Sequence, residues 1–294
     1  MLLSILIPTY NDDCGSLLRQ LLEQLPEAGE IIVGDDCSTV AFHFPTDDPR
    51  VRVYRPDHNL GRAAIRNALA GEAKGEWLLF MDADASVRSS QFITDYLAAS
   101  VDAPVVCGGT GNLPECPRPE ARLRYDYEVK AEQRLTLSRR QQHPYAQFTT
   151  FNFLIRRSLF LSIGFDEGLK EYGHEDTIFG LELRKRGIKV LHINNKLTHL
   201  GLEDAANYLQ KTETALRTLA DMPEQQKQNV RVSALARCLE RLHLLGFVRL
   251  LFKASRPLLR ANLLGRHPSQ HLFALYKLGY YALLLSSDKQ RGQQ

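Results

Sequence analysis

The sequence predicts an α/β protein with a mostly parallel central sheet, helices on both of its faces, and a helical extension at the C-terminus. Three observations carry this. Apolar runs of strand length alternate with helical patterns of about ten residues through the first half, the rhythm of strand–helix–strand units. Those runs are continuous rather than alternating, as in strands covered on both sides. After Met222 only helical spacing remains.

Residues 2–7 are a continuous apolar run ended by Pro8, a strand buried on both faces. Leu17, Leu18, Leu21, Leu22 and Leu25 then repeat at helical spacing until Pro26 stops them. Residues 30–33 and 51–54 are further strands, and an Ala-rich helix over 63–73 is closed by Gly75. Residues 77–81 form another buried strand, followed at once by Asp82-Ala83-Asp84. A helix around 91–100 leads to a strand at 105–107. Residues 110–144 break the rhythm, with a charged helical stretch at 122–139 between Pro-containing segments. Strands at 148–155 and 188–193 and helices at 175–186 and 203–219 complete the sheet domain. The chain thus divides into residues 1–222, the sheet domain, and residues 223–294, a basic helical extension.

Composition excludes several classes. A chain of 294 residues that is 44% hydrophobic, 24% charged and 9% aromatic is not a disordered segment, and it holds no apolar run of spanning length. The opening MLLSILIPTYN lacks a basic region before its apolar run and reaches Pro and Asn too early for a signal peptide. The five Cys are odd in number, scattered and without a CxxC pair. They are expected to be reduced thiols of a cytoplasmic protein, with neither zinc nor disulfides. The net charge of +3 conceals an asymmetry: residues 223–294 carry 12 Lys/Arg against 3 Asp/Glu, so the first 222 carry 25 against 31. Such a tail suits an anionic surface, membrane or nucleic acid.

In open sheets of this kind ligands bind beyond the carboxyl ends of the strands, and the polar clusters fall there. Asp82-Ala83-Asp84 sets two carboxylates two residues apart after a buried strand. Facing each other in a cleft they repel unless a cation lies between them, and oxygen ligands select Mg2+ or Mn2+. A plain turn that caps the next helix is the alternative. Asp35-Asp36 is a second acidic pair at a strand end, either a turn or an acceptor for a base N–H or a ribose hydroxyl. Arg62 and Arg66, with Asn67, put two cations on one helical face near a helix start, a match for phosphate or a solvated face. Glu175-Asp176 opens the later helix, as ordinary capping or as a general base. His199 is a structural histidine or a ligand beside the carboxylates, which Mn2+ tolerates.

In order and spacing, Pro8-Thr9-Tyr10-Asn11, Asp35-Asp36-Cys37-Ser38, Asn59-Leu60-Gly61 with Arg66-Asn67, Asp82-Ala83-Asp84, Gly164-Phe165-Asp166-Glu167 and Glu175-Asp176 together resemble the family 2 glycosyltransferases. The resemblance covers roughly residues 2–220. Its stretch from Gly164 to Asp176 is similar to the acceptor region of galactosyl- and N-acetylgalactosaminyltransferases. It implies the GT-A fold, with donor and acceptor sites in one Rossmann-like domain. It implies too that Pro8, Thr9, Tyr10 and Asn11 line the nucleotide pocket and that Asp36 contacts uracil. Arg62 or Arg66 lies near the base or diphosphate, the choice between them left open. Asp82 approaches ribose and metal, Asp84 binds the Mn2+ or Mg2+ that bridges the diphosphate, and His199 is a third metal ligand. Asp176 is the catalytic base, with Glu175 helping to hold the acceptor. Cys37 departs from the family's usual Gly or Asn.

The implied reaction is transfer from a nucleotide sugar, a UDP-sugar, to an acceptor hydroxyl with inversion, in polysaccharide or glycolipid synthesis. A nucleotidyltransferase is the alternative, but no Gly-rich phosphate loop follows the first strand. A dinucleotide oxidoreductase lacks its GxGxxG, and a nucleic-acid binder lacks any motif in the tail. In that tail Arg249, Lys253 and Arg256 share one helical face, Phe247, Leu250, Leu251 and Leu258 project from the other, and Pro257 ends or kinks the helix. A second apolar stretch, 272–285, contains Lys277 and is too short and too charged to span. Two readings stay open: the tail docks on the anionic inner face of the cell membrane, where a lipid-linked acceptor is presented, or it is a subdomain packed on the catalytic domain with its arginines outward.

Overall fold

The computed structural model describes residues 2–40, 47–168, 173–227 and 230–291. Its first elements are β1 (Leu3–Thr9), α1 (Gly15–Leu22), β2 (Gly29–Asp35), β3 (Val51–Tyr54), α2 (Arg62–Glu72), β4 (Trp77–Met81), β5 (Ala85–Ser86), α3 (Phe92–Ala99), β6 (Val105–Cys107) and β7 (Thr110–Gly111). Next come α4 (Arg122–Arg134), α5 (Leu137–Gln142), β8 (Asn152–Arg156), α6 (Arg157–Ile163), α7 (Glu175–Lys185), β9 (Val190–His192) and β10 (Leu197–His199). The chain closes with α8 (Ala205–Asp221), α9 (Glu224–Lys227), α10 (Arg231–Arg241), α11 (Leu245–Leu263) and α12 (Gln270–Arg291). Contacts divide these into two compact units: residues 1–113 with 132–170 and 175–201, and residues 114–131 with 171–174 and 202–294.

The first unit is built on a seven-stranded sheet of order β3-β2-β1-β4-β8-β6-β9. All pairs are parallel except those of β8, which runs antiparallel to both β4 and β6. Side chains alternate between its faces. Leu3, Ile5 and Ile7 of β1 and Trp77, Leu79 and Met81 of β4 pack with Leu17, Leu21, Phe92 and Tyr96 of α1 and α3. Leu6, Leu78 and Phe80 point the other way, toward Leu69, Phe160, Phe179 and Leu183 of α2, α6 and α7. Both faces are therefore covered, which is why these strands read as unbroken apolar runs. A second small sheet, β5-β10-β7, stands beyond β4 and joins the segment after Asp84 to His199.

The second unit is helical. Leu123, Leu209, Phe252, Leu259, Leu263, Phe273 and Tyr276 form its core. Gly279 lets α12 approach α11 closely, since a Cβ there would strike the ring of Phe252. Glu213 ties the helices together, accepting from Arg260 at 3.2 Å and from the Tyr276 hydroxyl, with Arg256 at 3.5 Å.

Strands 51–54, 77–81 and 105–107 coincide with their expected limits. Four features differ. The helical stretch 122–139 is two helices, because Thr136 stops the first and caps α5 by accepting from the Arg139 N–H. The strand expected over 148–155 starts only at Asn152; Phe148 and Phe151 are buried in a turn instead, where Phe151 N–H donates to Thr149 Oγ1. The contact division also falls elsewhere than residue 222, because Leu123 and Leu209 share a core with α11 and α12. Helix α11 runs on through Pro257 rather than ending there.

Candidate active site

Three loops at the carboxyl ends of β1, β2 and β4 form the site. Thr9 pairs in register with Asp35, so the first two loops start side by side. Asn11, held at φ 61°, joins them: its N–H donates to Ser38 Oγ at 2.8 Å, and its amide oxygen accepts the N–H groups of Thr39 and Val40. Asp35 accepts from Ser38 N–H and pairs with Arg55, both at 2.8 Å. Asp36 is buried, and its carboxylate accepts the N–H groups of Leu60 (2.7 Å) and Gly61 (2.9 Å). It therefore fixes the entry to α2, where Arg62 stands at the first turn. Cys37 has φ 62°, the left-handed conformation that Gly and Asn adopt most readily. Pro8 is half-buried and Tyr10 exposed at the same strand end.

The acidic pair after β4 is not left to repel itself. Arg66, buried in α2, donates to Asp82 Oδ1 at 2.6 Å and neutralises that carboxylate. His199 Nε2 lies 3.1 Å from Asp84 Oδ2. The two reach each other through β10, where His199 pairs with Ala85, and Leu200 N–H donates to the Asp84 carbonyl at 2.8 Å. Phe151 meets the imidazole edge-on at 5.4 Å and fixes its plane. Gly201 has no side chain for a reason: a Cβ there would collide with the Asp84 carboxylate.

Two of the three expected metal ligands, Asp84 and His199, are thus together, while Asp82 is engaged by Arg66. Among the described residues no group of three His, Cys, Asp or Glu side chains is assembled as a metal cluster. One carboxylate oxygen and one imidazole nitrogen still suit Mn2+, which tolerates the imidazole better than Mg2+ does and completes its shell with water and phosphate oxygens.

Matches to known proteins decide the class. The profile described as Glycosyl transferase family 2 matches residues 4–164, more than half of the chain. The chain belongs to that family. It is 35% identical over 91 residues to the succinoglycan biosynthesis protein ExoO of Rhizobium meliloti, covering 29% of this chain and 26% of ExoO. Curated relatives such as ExoO are matched over about half of their length or less. The mannosyltransferase PcManGT from Pyrobaculum calidifontis, solved in complex with GDP-Man and Mn2+, superimposes with a TM-score of 0.57 at 14% identity, over 99% of this chain and 88% of that one. GalNAc-T7, solved with UDP, GalNAc and Mn2+, gives 0.52 at 17% identity, over 81% and 50%. These likenesses establish the GT-A fold.

Beyond the family profile's last residue the geometry continues. Asn67 clamps the Gly164-Phe165-Asp166-Glu167 loop: its amide accepts Phe165 N–H at 2.8 Å and donates to the Phe165 carbonyl and to Glu167. Phe165 packs on Phe179, ring centroids 4.7 Å apart, and Phe179 lies one turn after Asp176 in α7. The chain enters α7 through Gly173 and His174, both at positive φ, and Asp176 accepts from Thr177 N–H at 2.7 Å. Glu175 and Asp176 occupy the first turn. Neighbouring residues of α2 thus hold two parts of the candidate site, Arg66 the acidic pair and Asn67 the later loop. The position of Asn67 was visible in the motif. Its task was not, and neither Arg55 nor Gly201 left any signal in the sequence.

Proposed function

We propose that this glycosyltransferase moves a sugar from a UDP-sugar to a hydroxyl of a glycan or lipid-linked acceptor, with inversion and with Mn2+ or Mg2+ bound, in the synthesis of a surface polysaccharide. The observation that carries this is the Asp84–His199 pair, 3.1 Å apart, beside an Asp82 already neutralised by Arg66. The succinoglycan role of ExoO supports the product class, and the bound UDP and Mn2+ of GalNAc-T7 support the donor and ion.

Pro8, Thr9, Tyr10 and Asn11 line the base and ribose, and Asp36, besides fixing the loop at Leu60, accepts from the base. Arg62 and Arg66 supply positive charge where α2 begins. Asp84 and His199, with Asp82 close by, would hold a divalent cation, which would supply charge stabilisation for the leaving nucleoside diphosphate. Asp176 takes the proton from the attacking hydroxyl, and Glu175 holds the acceptor. Attack from the face opposite the diphosphate is one displacement and inverts the anomeric carbon.

Calorimetric titration of UDP with Mn2+ and then with EDTA, on wild type and Asp84→Ala, tests the reading. Binding that needs both the ion and Asp84 supports it. UDP binding that survives EDTA, or binding of GDP in place of UDP, overturns the metal or the base assignment respectively.

A further inference from the structure

Helix α11 is apolar on two opposite faces. Phe252, Leu259 and Leu263 are buried in the core of the helical unit. On the other side Phe247, Leu250, Leu251 and Leu258 are 64%, 68%, 57% and 76% exposed. At 3.6 residues per turn these four, with the exposed Ala254 and Ala261, fall in one stripe about 120° wide and ~20 Å long. No charged or hydroxyl side chain interrupts it. Leu242 and Leu244, exposed just before α11, extend it. Large apolar residues gathered in water on one helix face mark a surface that something else covers.

Charge identifies what covers it. Lys253 is exposed at the edge of the stripe, and exposed Arg241 and Arg266 stand before and after the helix. Arg256 and Arg260, by contrast, both pair with Glu213. Within α11 there is no Asp or Glu. A second copy laid on this stripe would bring Lys253 against cations with no Asp or Glu of α11 to offset them. No helix among the described residues is long and apolar enough to cross a membrane. An apolar stripe with cations at its margin and no Asp or Glu in its own helix is the pattern of a helix that lies in a bilayer interface.

We propose that α11 is an interfacial anchor for an anionic phospholipid surface. The stripe from Phe247 to Ala261 enters the acyl boundary, while Lys253, Arg241 and Arg266 reach the headgroup phosphates along their aliphatic stems. This stands apart from the donor chemistry, since none of these residues belongs to the site at β4.

Sedimentation of the full chain with vesicles tests it, using phosphatidylcholine alone and equal parts phosphatidylcholine and phosphatidylglycerol. Wild type is expected to bind the anionic vesicles at least about tenfold better, less so as salt rises. Leu250→Glu with Leu258→Glu should lose that binding at least tenfold while keeping the wild-type melting temperature, because both positions face water. Lys253→Glu should weaken it about fivefold. No binding of wild type to the anionic vesicles overturns the proposal, as does unchanged binding by the double variant. A wild-type dimer in sedimentation equilibrium that the double variant abolishes, without vesicle binding, assigns the stripe to self-association instead.

Discussion

The two units treat their polar and apolar groups in opposite ways. In the sheet unit charged side chains are drawn inward and each is given a partner: Arg66 holds Asp82, Asp36 accepts two backbone N–H groups, and buried Arg140 donates to the carbonyl of Ile193 and lies 3.3 Å from His192 Nδ1. In the helical unit four large apolar side chains of α11 are left in water. Burying a charge is costly unless it is paired, so the first pattern fixes these groups in position. An exposed apolar stripe has no comparable penalty to resolve within the chain, and it marks a surface that meets something outside.

That contrast can be broken or sharpened by substitution. The largest effect falls on the site: Asp84→Ala is expected to lower UDP affinity in Mn2+ about 100-fold or more, with the melting temperature unchanged, as titration calorimetry and a thermal scan would show. Next is the core. Phe153 is fully buried and stacked on Phe80 at 4.8 Å, so Phe153→Ala should cost about 3–5 kcal/mol in urea unfolding.

A pH effect follows from His192. Burial pushes its imidazole down to about 4, and the neighbouring Arg140 guanidinium adds to this, while the Pro144 carbonyl beside Nε2 works against it. The unfolded chain therefore takes up a proton near pH 6.5 that the folded protein refuses until about 4. Stability should be full above pH 7 and fall by roughly 3 kcal/mol as pH drops through that window. His192→Gln should flatten the profile.

Asn67→Ala removes three hydrogen bonds from one loop and should cost about 1–3 kcal/mol while raising KM for the acceptor more than for the donor. The smallest change is on the stripe: Leu258→Ser should alter unfolding by less than about 0.5 kcal/mol, against the large loss at Phe153. A large loss there would mean that α11 packs on something within the chain.

The elements that were legible in the sequence share one property. Residues 77–81 and 105–107 are short apolar runs and 51–54 a short Val-Arg-Val-Tyr strand, each bounded by Pro, Gly or charge. Helix α6 went unseen because residues 157–163 follow β8 with no break, in seven residues too few to show a period. The candidate site was legible as a set of strand-end motifs, where ligands of open α/β sheets bind. Their partners were not. Nothing in the spacing of residues 66 and 82, or of 84 and 199, says that they touch.

By itself the sequence determined the α/β class, the buried strands, the motif order of a family 2 glycosyltransferase and the basic character of the last 72 residues. These rest on local periodicity and residue chemistry, which a chain carries before it folds. Only the tertiary structure decided that Arg66 neutralises Asp82, that His199 rather than Asp82 stands against Asp84, and which face of α11 is left in water. Those outcomes depend on the order of strands in the sheet and the rotation of each helix about its axis. Both are set by how the whole core packs, and neither is written in any one segment.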